Sequence, residues 1–208
     1  MNGRPSRETV MTALLDTLVA AVQTQLTANV NSQDPVLYQP STTAGLFIGL
    51  PVFGAGVPRG AVIESLSPLT LSMPATANGS NVSLTTGFLT FGRRLIPWTQ
   101  LAAQPALFVR DPNEQLEYNN IILQQQVINA EIWIYSRAGE NPDVAPITAL
   151  NNLLDAVQDA MAPDDPMQQR FTLGGLVHWC RMSGRVEKSP GDLDGQAIAV
   201  ADVEIIVP

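Results

Sequence analysis

Val127-Ile128-Asn129-Ala130-Glu131-Ile132-Trp133-Ile134-Tyr135 is the stretch whose reading decides the fold. Apolar and polar positions alternate, so Ile128, Ala130, Ile132 and Ile134 share one face of a strand. Asn129, Glu131, Trp133 and Tyr135 share the other, which should stay partly polar. A strand with one apolar face needs a covering layer, and helical spacing supplies it on both sides. Upstream, Ser6 is an N-cap with Glu8 in the first turn, and Val10, Leu14, Leu18, Val22 and Leu26 recur at helical spacing. Met11, Leu15 and Val19 widen that stripe, and the pattern ends before Asn29. Downstream, a second helix starts near Pro146, buries Ile147, Leu150, Leu154, Val157 and Met161, and stops before Pro163. Further strands are expected at 105–109, 176–182 and 197–207. The fold class is α+β: a mixed or antiparallel sheet with helices packed on one face.

Residues 29–87 break this pattern. Asp34, Arg59 and Glu64 are their only charges, and Gly, Pro, Ser and Thr punctuate short apolar runs. Strands are expected at 46–48, 61–66, 69–72 and 82–85, between the turn signals Gly54-Ala55-Gly56, Ser67-Pro68 and Asn78-Gly79. So many Val, Leu and Ile argue for a small all-β insertion rather than a flexible linker. The expected organisation is an α+β domain over 1–28 and 88–208, with the β module at 29–87.

The composition of the 208 residues narrows the function. Only 14% are charged against 45% hydrophobic, where an average soluble domain carries roughly 25% charge. A charge-poor, amide-rich exterior suits a subunit buried in an assembly. Eleven Lys plus Arg against nineteen Asp plus Glu leave a net charge of −8. Nucleic-acid binding rests on basic groups that displace counterions, so the chain is a poor DNA or RNA binder, and anionic lipid is disfavoured likewise. Acidity does let DNA pass close by without sticking. No apolar run approaches the roughly 20 residues that span a bilayer, and the N-terminus has no signal-like apolar core. The expectation is a soluble protein made in the cytoplasm.

Few residues offer chemistry. Cys180 is the only cysteine and His178 the only histidine. On an extended strand they stand roughly 6–7 Å apart, too far for direct proton transfer. A structural zinc site needs more Cys or His than the chain holds. The pairs Asp164-Asp165 and Asp192/Asp194 lie in Pro- and Gly-rich connections, where acids ordinarily brace turns. Residues 49–60 are glycine-rich but lead into a strand, unlike a phosphate cradle at a helix N-terminus. Arg93-Arg94 is the only adjacent basic pair. No catalytic residue, metal or cofactor is assigned.

The second half resembles the tail terminator (tail completion, or minor tail) proteins of long-tailed bacteriophages. Arg93-Arg94, Pro97-Trp98 and Gln104-Pro105-Ala106-Leu107-Phe108-Val109 look like the approach to that family's first strand. Ala130-Glu131-Ile132-Trp133-Ile134-Tyr135 looks like its second, and Asn152-Leu153-Leu154-Asp155-Ala156-Val157 like its following helix. Leu173-Gly174-Gly175-Leu176-Val177-His178-Trp179-Cys180-Arg181, Ser183-Gly184-Arg185-Val186-Glu187 and Gly195-Gln196-Ala197-Ile198-Ala199-Val200 through Val207-Pro208 complete the order. The resemblance implies a hexameric homo-oligomeric ring on the head-proximal end of the tail tube. Such a ring caps the tube, meets the head–tail connector or stopper, passes DNA through its lumen, and belongs to the virion neck without catalysis. The same resemblance fits a head–tail connector, a stopper or another neck or tail adaptor. A Cys180-dependent hydrolase is the rival from another class.

The module at 29–87 departs from the family, whose members usually carry a short connection there. Parts of it, such as Gly54-Ala55-Gly56-Val57-Pro58-Arg59-Gly60, resemble a β module of phage structural proteins. Its place, on the outer rim, against a sheath, or on a neighbouring subunit, stays open. Trp98, Trp133, Tyr135, Arg93 and Arg94 are the candidate interface residues, because aromatics and Arg concentrate in buried interface centres. Packing within the chain is the alternative for the aromatics.

Overall fold

The computed structural model describes residues 4–101, 103–119, 122–137, 147–165, 167–191 and 195–208. Their architecture is α+β. Helix α1 (Arg7–Ala21) opens the chain and α2 (Thr148–Ala160) follows later. Strands β6 (Thr90–Gly92), β7 (Ala106–Asn119), β8 (Ile122–Arg137), β9 (Trp179–Ser189) and β10 (Gln196–Val207) build one sheet. Its order is β6-β7-β8-β10-β9, antiparallel except where β6 runs parallel to β7. Both helices lie on the same face, α1 against β7 and α2 against β8 and β10, and they also touch each other.

The alternation in β8 survives folding: Ile128, Ala130, Ile132 and Ile134 are buried under the helices. Opposite them β10 contributes Ala197, Ala199, Val203, Ile205 and Val207 to the same core. The alanines let α2 approach the sheet closely. Each fully buried Leu or Ile in this layer contributes about 1.5–3 kcal/mol.

α1 begins as its residues dictate. Ser6 has extended backbone and its hydroxyl accepts from the Thr9 amide at 3.1 Å. The helix stops earlier than its apolar spacing suggests, at Ala21, and Leu26 belongs to β1 (Gln25–Val30). The cause lies at the far end of the next module. The buried hydroxyl of Thr86 donates to Val22 O (3.1 Å) and accepts from Thr24 N (3.0 Å), so the helix end is held from across the chain. Leu26, Ala28 and Val30 then alternate into the core as a strand. Leu26 satisfies both spacings, and only the pairing of β1 with β5 decides between them.

The composition boundary at residue 29 therefore falls inside β1. With β2 (Val52–Gly54) and β5 (Gly79–Thr86) it forms a three-stranded sheet in the order β1-β5-β2, and β3 (Ile63–Leu66) pairs with β4 (Leu69–Leu71). Residues 46–48 are not a strand. They sit between Gly45 and Gly49, both at positive φ, in successive turns closed by Leu46 N to Thr43 O and Leu50 N to Phe47 O. The Asn152 side chain of α2 donates to Ile48 O at 2.9 Å, clamping this turn to the helix. Module and α+β part share one apolar core.

Two elements escape the sequence patterns. β6 is only three residues long, too short for a periodic signal. The strap after it, residues 93–101, with a 3-10 turn at Trp98–Gln100, crosses the sheet face away from the helices. Its Leu95, Ile96 and Leu101 cover Ala106, Phe108 and Tyr135. Pro146 at the expected start of α2 lies outside the described residues. Among those described, no helix is long and apolar enough to cross a membrane.

Candidate functional site

The five candidate interface residues divide by position. Tyr135 is 4% exposed; its ring meets Phe108 edge-on, with centroids 6.0 Å apart. This buries it within the chain, on the sheet face that period two leaves partly polar, because the strap covers that end of the face. Trp133, two residues earlier, is half-buried and tilted against Tyr135 at 6.4 Å. Its indole N–H donates to Glu131 Oε2 at 2.8 Å. Trp98 is 39% exposed on the strap. Arg93 is a pin within the chain, with Nη2 3.0 Å from Asp111 Oδ1 and Nη1 3.3 Å from Glu8 Oε2. Arg94 beside it points to solvent.

Below the strap the open face is a charged lattice. Register places Arg110, Glu131 and Asp202 in one row across β7, β8 and β10, and Asn113, Asn129 and Glu204 in a second. Arg110 reaches Glu131 at 3.6 Å, and Arg181 of β9 binds Glu204 at 2.9 Å. Arg170 and Arg181 flank the Trp179 ring at 5.6 and 4.2 Å, within cation–π range. Between β8, β10 and β9 a shallow depression of about 440 Å³ is lined by Glu131, Trp133, Arg185, Glu187, Val200 and Asp202. These partly exposed ion pairs contribute little to stability, but they set which surface can meet this one. The alternation of β8 and β10 already points Glu131, Asp202 and Glu204 away from the core. That they form rows with Arg110 and Arg181 depends on register.

The residues with catalytic potential are occupied otherwise. Cys180 is 1% exposed, and burial, helped by the charge of Asp164, pushes its thiol up to about 12. His178 is exposed while Cys180 faces the core. A thiol in that state is a packing group, since the thiolate is the reactive form. Asp164 accepts from Thr172 N (2.7 Å), Thr172 Oγ1 (2.9 Å) and Gly174 N (2.8 Å). Desolvation raises its pKa, but the bonds from Gly174 and Thr172 together outweigh that and leave it below the usual carboxylate range. Asp165 accepts from Met167 N and Gln168 N. Both acids brace the loop before β9. Asp192 and Asp194 lie outside the described residues. Among the described residues no three His, Cys, Asp or Glu side chains gather as a metal site.

Among the described residues, the part of the sheet face beyond the strap is left open and presents interleaved charges with half-buried aromatic rings. Compared with protein-family models the chain matches none, and a search of curated proteins finds no match.

Proposed function

We propose that this chain is a structural subunit of a phage tail, a terminator that assembles as a ring on the head-proximal end of the tail tube and works without catalysis. The observation that carries the reading is a sheet whose described helices lie on one face, while the other face, where the strap leaves it open, is a lattice of charges and aromatics. That is a surface for meeting protein. The segments that resemble tail terminators fall in order on β7, β8, α2, β9 and β10, with α1 upstream. Its partners in this reading are copies of itself, the tube protein and the connector or stopper. The net charge of −8 suits a lumen through which DNA slides. Its place is the virion neck, with assembly in the host cytoplasm.

Particles made without the protein test this reading. Overlong or irregular tails are the expected result. Normal tails beside filled, unattached heads would instead assign the chain to the connector or stopper.

A further inference from the structure

Both helices end at one groove. Ala21, the last residue of α1, and Ala160, the last of α2, line it together with Leu46 and Phe47 of the β module. The groove measures about 420 Å³, room for one large side chain, and Ala156 adds to its apolar wall. Its rim is acidic, with Asp155 and Asp159 exposed one helical turn apart on α2. Among the described residues no base pairs with either carboxylate. Lys188 reaches α2 but bonds Asn151 Oδ1 at 2.9 Å, a turn before Asp155. Helix C-termini carry partial negative charge, and neither helix has a basic residue in its last turn. Asp159 adds to that charge where a helix ordinarily places a base. The groove therefore wants an apolar side chain and a cation, and the described part of its own chain supplies neither.

The matching surface lies on the other side of the same molecule. The strap crosses the sheet face away from the helices, and its Trp98 is 39% exposed. Arg93 in the strap is held by Asp111 and Glu8, whereas Arg94 is exposed and has no acid partner among the described residues. Arg170 also lacks an acid, but it already lies over Trp179 of its own chain. Arg137 follows the buried Tyr135 and Ser136 and has no exposed aromatic beside it in the chain. Tryptophan and arginine are the side chains that most often anchor an interface in a pocket.

We infer that the groove receives a second copy of this chain, the strap of one copy entering it with Trp98 on the apolar floor and Arg94 against Asp155 and Asp159. Strap and groove lie on opposite sides of the sheet, so a chain cannot fill its own groove. The contact is heterologous: each copy gives its strap to one neighbour and its groove to the other. Such a series closes into a ring when the rotation between copies closes. The indole supplies the apolar contact, and the unpaired charges choose which surface meets which.

The inference rests on the ring proposed above and names its contact. Charge reversal tests it in the full-length chain, with assembly followed by light scattering through a dilution series. Arg94→Glu should raise the concentration at which assemblies dissociate by about tenfold or more. Asp155→Lys combined with Asp159→Lys should do the same, although bases near a helix C-terminus leave the monomer at least as stable. All three changes in one chain restore the attraction and should return assembly to the wild-type range. Trp98→Ala should weaken assembly with no change in charge, and the melting of every variant's monomer should match wild type. Loss in both charge variants without rescue in the combined one overturns the pairing of strap with groove. Assembly that all the variants leave intact overturns the contact while the ring stands. Groove variants that assemble normally but no longer bind tail-tube subunits give the groove to another protein and overturn the second copy. A wild-type chain that stays monomeric at high concentration overturns ring and contact together.

Discussion

Cys180 shows what burial does to a single reactive group. With its folded pKa raised from 9.0 to about 12, the neutral thiol is the form that packs. Its contribution to stability is complete below the unfolded value and is lost as pH rises from 9 towards 12. Native protein at pH 8 should show no reaction with a thiol reagent until denaturant is added. Alkaline unfolding should shift upwards when Cys180 is replaced by Ala. Rapid labelling of the native protein would contradict this account and revive the hydrolase reading. Tyr135 teaches the companion lesson. Its alternation with Ile134 was readable, but its burial comes from Leu95, Ile96 and Leu101, residues some forty positions earlier with no periodic signal.

At the scale of elements, the contact between the β module and α2 is the tightest test of the packing. Gly49 has φ +90, and a Cβ there would stand 2.5 Å from Ala149 Cβ and 2.9 Å from Ala149 Cα. Gly49→Ala should cost about 1–3 kcal/mol, read as a lower urea midpoint. Ala149→Gly in the same chain should restore only part of the loss, because the left-handed backbone stays strained. Full restoration would mean the clash alone mattered. A neighbouring run, 46–48, reads as a strand by composition and folds as turns. The flanking glycines favour the turn, and the hydrogen bond from Asn152 rewards it from a helix a hundred residues away.

At the scale of the whole molecule, three carboxylates in separate parts of the chain share one pH signature, one across a long-range pair and two within their own loops. Glu114 on β7 is bound by Arg7 of α1, which lowers its pKa against a desolvation that raises it, with Gln126 helping. Asp34 in the β module is lowered by the Val36 amide and the Tyr38 hydroxyl, and Asp164 is lowered as described. All three folded values lie below the free values. Their stabilisation is therefore complete above about pH 4 and is lost as pH falls through the lower folded values. Urea midpoints should hold steady from pH 7 to 5 and fall below 4. Glu114→Gln should flatten part of that acid limb; an unchanged limb would remove the Arg7 pair from the account.

The sequence by itself determined the class of the protein and its main layers. Period two in residues 127–135, the Ile- and Val-rich run 197–207, and helical spacing after Ser6 and around Leu150, are local signals that burial enforces wherever the chain goes. Local signals also made Cys180 and the Asp164-Asp165 pair poor candidates for chemistry. Tertiary structure decided what depends on register and on distant partners. The turn of Leu26 from helix to strand hangs on the hydroxyl of Thr86. The rows Arg110–Glu131–Asp202 and Asn113–Asn129–Glu204 exist because three strands align. Those are properties of pairing, and pairing is a long-range choice made by the whole core.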